Sequence, residues 1–226
     1  FPGGIAGSNL AGPDHIAAST ELTSPTLLID LIDGSLVSHF AELDVPAAAT
    51  PDDHALYLRP ARRLPGRHRY VVVIQKSLRN KAGDPLASPP GYQALVRGDD
   101  LDHPLYQRMR PRFAGVRAAL AAHGLAPEDV VMAWDFTVAS DTWTRRLATS
   151  ARDQVVARLA TTRQTWRIVD DAPVDAAIHR RIDGFLTAPL FLTQGGRYQP
   201  GTQLALDADG LPAYQGMYEI PFTAVI

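Results

Sequence analysis

The stretch "RYVVVIQKSLRNKAGDPL" (residues 69–86) decides the fold class. Val71, Val72, Val73 and Ile74 make a short continuous run of β-branched residues, and the run closes on a turn built around Gly83 and Pro85. Apolar runs of this length, bounded by turn formers, read as core strands. Beyond the turn a short edge segment is expected at residues 92–96.

Moving toward the N-terminus, "HALYLRP" (54–60) alternates, with Leu56 and Leu58 on one face, and "ARRLPG" (61–66) supplies proline and glycine for the intervening turn. Upstream, "TLLIDLIDGSLVSHFAELD" (26–44) holds two β-compatible runs around Asp33-Gly34, a dipeptide that tolerates positive φ. It predicts a hairpin of 26–32 with 36–43, followed by the loop "DVPAAATPDD" (44–53). Residues 1–25 are rich in glycine and proline without a sustained period, so an extended arm with no regular element is expected there. Short strands at this spacing are what a β-sandwich requires.

Toward the C-terminus the period changes. "RPRFAGVRAALAAHG" (110–124) puts Phe113, Val116, Leu120 and Ala119 on one side, with Pro111 near the first turn and Gly124 just past the end. "PEDVVMAWDFTVAS" (127–140) reads as a strand over 130–138. A second helix follows, with Ser140 or Asp141 as N-cap and Trp143, Leu147, Ala151, Val155 and Leu159 recurring at three to four residues. From residue 167 the pattern is again strand-like, with turns at "QGG" and "DADG", and it leaves open whether the two β regions are separate sheets or one interrupted sheet.

The 226 residues are 46% hydrophobic and 20% charged, enough apolar material for a buried core in a soluble globular protein. A net charge of −2 gives no basic field for nucleic acid or anionic membrane, so neither is expected as a partner. Without cysteine there is no disulfide, thiolate metal site or cysteine nucleophile. No apolar window approaches the roughly 18–20 residues of a membrane span. The chain starts at Phe1 with no leader pattern and closes on the strand-like "GMYEIPFTAVI" (216–226), from which a chain cut at both ends is expected.

The stretch at 56–86, "LYLRPARRLPGRHRYVVVIQKSLRNKAGDPL", resembles the strand–strand–turn signature of bacterial Ig-like domains of the S-layer (SbsA) type, with Asp84 where asparagine is usual. The order "LIDLIDGSLVSHFAELD", this signature, "AWDFTVASDTWTRRL" and "GFLTAPLFLT…DADGLP…YEIPFTAVI" is similar to the N-terminal half of exported bacterial α/β-hydrolases of the lipase or esterase kind, over residues 25–226. The resemblance implies a mainly β fold with inserted helices, an Ig-like β-sandwich followed by two amphipathic helices and a second β region. The domains it implies are an extended arm (1–25), the sandwich with one inserted helix (26–139), and a helix plus β region (140–226) leading toward a catalytic domain. It also implies export to the periplasm, cell envelope or medium, and an α/β-hydrolase domain as partner, in cis or as a second fragment.

Such a hydrolase needs the glycine-x-serine-x-glycine elbow, because only small flanking residues allow the sharp strand-to-helix turn that lifts the serine out. No such pentapeptide occurs; "AGSNLAG" and "DGSLV" lack the second glycine at the required offset. No catalytic residue is therefore assigned in this chain.

Asp207 and Asp209 in "LDADGLP" stand two apart, as at the opening of a calcium loop, with Glu219 as the distal candidate. The competing and favoured reading is a polar turn with Gly210 at positive φ. Asp135 invites a triad with Asp141 and His179, but a hydrogen-bonded strand residue is the simpler expectation. The seven histidines, His15, His39, His54, His68, His103, His123 and His179, show no paired spacing for zinc. Trp134 and Trp143 are expected in the core, and Trp166 is left open between core and surface. "DDLDHP" (99–104) is a solvated loop. Two functions remain: the non-catalytic Ig-like portion of an ester hydrolase, or a free-standing cell-envelope module that binds a polysaccharide or protein. The two amphipathic helices favour the former, since they need a neighbour to cover.

Overall fold

The run from Val71 to Ile74 lies on the middle strand of a three-stranded antiparallel sheet. The computed structural model describes residues 1, 3–44, 54–174, 177–196 and 199–226, so the loop expected at 44–53 lies outside the described residues except for Asp44. Among them are eight strands in three antiparallel sheets and four α-helices, a mixed α/β protein with substantial sheet. The chain divides into two compact units, Phe1–Ser140 and Asp141–Ile226.

The first unit contains β1 (Thr26–Asp30), β2 (His39–Leu43), β3 (Leu56–Pro60), β4 (Arg69–Gln75), α1 (Pro90–Arg97), α2 (Pro104–Met109), α3 (Phe113–Ala122) and β5 (Val130–Thr137). The sheet order is β1-β4-β5, while β2 and β3 form a separate two-stranded ladder. Because side chains alternate across a strand, β4 feeds two cores at once. Val71 and Val73 join Leu27, Ile29, Tyr92, Leu95, Phe113, Val116 and Leu120 under the helices. Tyr70, Val72 and Ile74 pack on the other face with Ile5, Leu28, Val37, Leu78 and Leu86, where Leu56 and Leu58 of β3 close over them. A strand buried on both faces explains why its sequence is continuously apolar rather than alternating.

Four expectations are corrected here. Asp33-Gly34 does turn the chain, with Gly34 at φ 74° and the Asp30 amide donating to Ser35 O at 2.9 Å, but the strands part after one bridge, Ile29 with Leu36. β1 pairs with β4 and β2 with β3, because β1 is buried along its whole length and finds a better partner in the core. Residues 92–96 are helical, not an edge strand: α1 starts on Pro90, ends at Gly98 in the left-handed conformation and buries Tyr92 and Leu95 three apart. The first unit thus has three helices where one was expected. The N-terminal arm also contains a regular element, a 3-10 helix at Pro13–Thr20, and it buries Ile5, Ala11 and Ser19.

The second unit contains α4 (Asp141–Leu159), β6 (Trp166–Ala172), β7 (Arg181–Pro189) and β8 (Met217–Val225), with the sheet in sequence order. The two β regions are therefore separate sheets. Gly184 sits at the centre of β7, opposite Ile168 and Phe222. A Cβ there would stand 2.6 Å from Arg167 O and 2.7 Å from the Phe222 ring, so the position requires glycine. Among the unit's described residues only Gly184 and Pro212 are buried, and α4 buries none. No helix among the described residues is long and apolar enough to cross a membrane.

Candidate functional site

On the helix-covered face of the first sheet, alternation along β4 aims Arg69 the same way as Val71, while Tyr70, with the His68 ring stacked on it, points to the opposite face. Arg69 is fixed there. Its Nε donates to Asp135 Oδ2 of β5 at 2.5 Å and its Nη2 to the Arg112 carbonyl at 2.8 Å, while Arg112 donates to the same carboxylate oxygen. The Asp135 side chain is only 5% exposed, so two guanidiniums satisfy one nearly buried carboxylate. Gly115 of α3 makes room for this: a Cβ would lie 3.2 Å from Arg69 Nη1. Asp135 is thus engaged by arginines rather than by an imidazole, the hydrogen-bonded strand residue of the simpler expectation.

Arg67 is different, because it has a left-handed φ of 71° without being glycine. The glycine beside it is occupied with another task, since a Cβ at Gly66 would stand 3.1 Å from Ala139 O. The Arg67 amide donates to Val138 O at 2.8 Å, and its exposed side chain has no hydrogen bond or ion pair among the described residues. Both arginines border an open cleft of about 490 Å³ that also includes His123, whose Nε2 lies 3.0 Å from Gly34 O and donates to it.

On the other side of the strand, Asp30 accepts from the Ile32 amide at 2.9 Å and from His68 Nδ1 at 2.8 Å. Burial pushes this carboxyl up, but the bonds from His68 and Ile32 outweigh it and hold Asp30 below the usual carboxylate range. Burial, with the Asp30 carboxylate adding to it, pushes the Tyr70 phenol up to about 12. A second buried polar group joins the arm to the ladder. His39 Nε2 is 3.0 Å from Thr26 Oγ1, its Nδ1 donates to Val37 O at 2.9 Å, and its amide donates to Ser19 Oγ at 2.9 Å. With Nδ1 carrying the proton, Nε2 accepts from Thr26, which is the neutral tautomer. Burial accordingly pulls the His39 pKa down. This serine, threonine and histidine look like catalytic types, but all three are fully buried.

In the second unit Asp207 Oδ1 accepts from the amides of Asp209 and Leu211 at 3.0 and 2.9 Å, and Gly210 takes φ 70°. The proposed calcium ligands therefore form a self-bonded turn, while Glu219 makes two 3.1 Å bonds to Arg167. Among the described residues no group of three or more His, Asp or Glu side chains is placed to hold a metal.

Sequence reasoning placed the tryptophans only in part. Trp134 is half-buried against the ladder-side core, as expected. Trp143 is 59% exposed with the Arg146 guanidinium 4.4 Å above its ring, which corrects its assignment to the core, and Trp166 is 69% exposed. α4 forms over Asp141–Leu159, but it buries no residue, and a period says which side is apolar and not what covers it. The two-arginine clamp and the free Arg67 were missed, since neither residue type nor spacing marks them.

Compared with known proteins, the chain matches no family model, no curated protein and no solved structure.

Proposed function

We propose that this chain is the non-catalytic, Ig-like portion of an exported bacterial ester hydrolase of the lipase or esterase kind, and that it packs against and positions an α/β-hydrolase domain supplied in cis or as a second fragment. The observation that carries this reading is the apolar surface of Asp141–Ile226. Its described residues bury little beyond Gly184 and Pro212, while Trp143, Val156, Trp166, Val169, Ile220 and Val225 remain exposed. A unit of this size ordinarily needs a core, and exposed apolar faces of this kind mark interaction surfaces. The order of motifs, which resembles the N-terminal half of such hydrolases, supports an α/β-hydrolase domain as the partner. Two ladders facing one another across Val72, Ile74, Leu56 and Leu58 support the Ig-like assignment of the first unit.

A specific observation favours a second reading. The exposed Trp143 and Trp166 rings suit a polysaccharide-binding cell-envelope module. One experiment separates the two readings: label native material containing the chain with a fluorophosphonate probe and resolve it by denaturing gel and intact mass. The ester-hydrolase reading expects the label on a serine outside these 226 residues, either elsewhere on the polypeptide that carries them or on a co-purifying second polypeptide. A monodisperse monomer with no labelled species, and with α4 and β8 as protected from amide exchange as β4, would overturn it.

A further inference from the structure

The cleft beside α3 has a polar rim and an apolar interior. Its floor is shallow in side chain because α3 turns Gly115, Ala118, Ala119 and Ala122 toward it, at helical spacings of three and four. Ile29, Leu31 and Ile32 supply the aliphatic wall. The rim is cationic. Arg69 is held by Asp135 and by the Arg112 carbonyl through Nε and Nη2, which leaves Nη1 free of any bond among the described residues. Among the described residues Arg67 has no partner for its donor fork, and it holds that fork from a left-handed backbone that only glycine adopts without strain. His123 completes the rim, its ring oriented by the Gly34 carbonyl.

The charges point to an anion. Asp135 carries one negative charge between Arg69 and Arg112, so that group stays net positive before Arg67 is added. Among the described residues Asp30 is the one acidic residue that borders the cleft, and its carboxylate, on the Tyr70 side of the sheet, is engaged by His68 and the Ile32 amide. A cleft whose remaining lining is aliphatic favours a monoanion, because a doubly charged head loses more hydration on entering it. A guanidinium fork matches a planar carboxylate through two parallel bonds.

We propose that the cleft binds a small amphiphile with a carboxylate head at Arg67 and Arg69 and a hydrocarbon body over the small-residue face of α3. This site lies wholly within Phe1–Ser140 and does not depend on the ester-hydrolase reading.

The test is isothermal titration of the full chain with sodium octanoate at low ionic strength, beside octanamide and inorganic phosphate. Octanoate is expected to bind, octanamide to bind about tenfold more weakly or not at all, and phosphate to fail to displace octanoate. Arg67→Ala removes an exposed side chain that has no partner among the described residues, and is expected to weaken octanoate about tenfold while leaving the melting temperature unchanged. Ala118→Leu fills the floor and should abolish binding. Absence of octanoate binding, equal affinity for octanamide, displacement by phosphate, or an Arg67→Ala protein that binds as the parent does would each overturn the proposal.

Discussion

In Phe1–Ser140 the central sheet has a core on each face; in Asp141–Ile226 a sheet of the same strand number carries Trp166, Ile168, Val169, Met217, Ile220 and Val225 at the surface. Both sheets are antiparallel and both satisfy their inner backbone groups through ladders. The difference lies in what the side chains displace. In the first unit β4 removes apolar surface from water on both sides, while the second is laced by exposed pairs such as Arg167 with Glu219 and Arg180 with Asp171, which contribute little. Ladders alone do not make an independent domain. The second unit's stability is therefore expected to depend on whatever covers it.

The sharpest way to break this contrast is a matched pair of truncations. Leu120→Ala empties a fully buried site under the first sheet and should lower unfolding free energy by about 2–5 kcal/mol. Val156→Ala, on the exposed side of α4, should change it by no more than about 0.5 kcal/mol. Urea denaturation of both variants followed by circular dichroism measures this. Equal losses would mean that α4 is covered in solution and that the contrast between the units is false.

A smaller effect is expected at the arginine clamp. Asp135→Asn keeps the shape but removes the charge that two guanidiniums share, at a cost of about 1.5–3 kcal/mol for hydrogen bonds to a charged group. The loss should persist at high salt, since the carboxylate is nearly buried, whereas an Asp171→Asn change at the exposed pair with Arg180 should produce little change at any ionic strength. A clamp that salt erases would place Asp135 among the surface pairs.

The two units also differ in how far their sequences could be read. β4 was legible because a β-branched run between turn formers has few other uses, and α3 because its apolar residues repeat at helical spacing and Gly124 closes it. α1 was not, since "PGYQALVR" opens on proline and glycine and is too short to repeat its buried set of Tyr92, Ala94 and Leu95. The pairing of β1 with β4 rather than β2 was illegible for a related reason: a turn sequence fixes where the chain reverses, but long-range burial decides which strands stay together. Of the cleft, nothing was marked. Arg67 looks like any surface arginine, and Gly66, which suggested the turn, serves a close approach to Ala139 and leaves the left-handed backbone to its neighbour.

A pH effect confined to the first unit follows from His39. Burial lowers its folded-state pKa beneath the ordinary value of about 6.5, so the unfolded chain takes up the proton more readily. The stability associated with neutral His39 is complete above about pH 6.5 and is lost as pH falls below that value toward the lowered one. Asp30, also lowered, loses its contribution only below the ordinary carboxylate range, so the two windows separate. His39→Gln should be less stable at pH 8 and should lack the change in urea midpoint between pH 7 and pH 5.5. An unchanged slope in that variant would mean another group carries the effect.

The smallest predicted change bears most directly on the cleft. A non-glycine residue at φ 71° holds strain on the order of 1 kcal/mol, which Arg67→Gly would relieve, offset in part by the greater freedom of glycine in the unfolded chain. The side chain has no partner to lose among the described residues, so the net expectation is a slight rise in melting temperature, or none. If the arginine were only a turn residue, glycine would suit the left-handed backbone at least as well. If it holds a carboxylate, Arg67→Gly should melt no lower than the parent and still bind octanoate about tenfold more weakly. A strained backbone carrying an unpaired cation over an apolar cleft then reads as a site whose stability was exchanged for binding. A variant that gains stability and keeps its affinity would make the strain a feature of the turn alone.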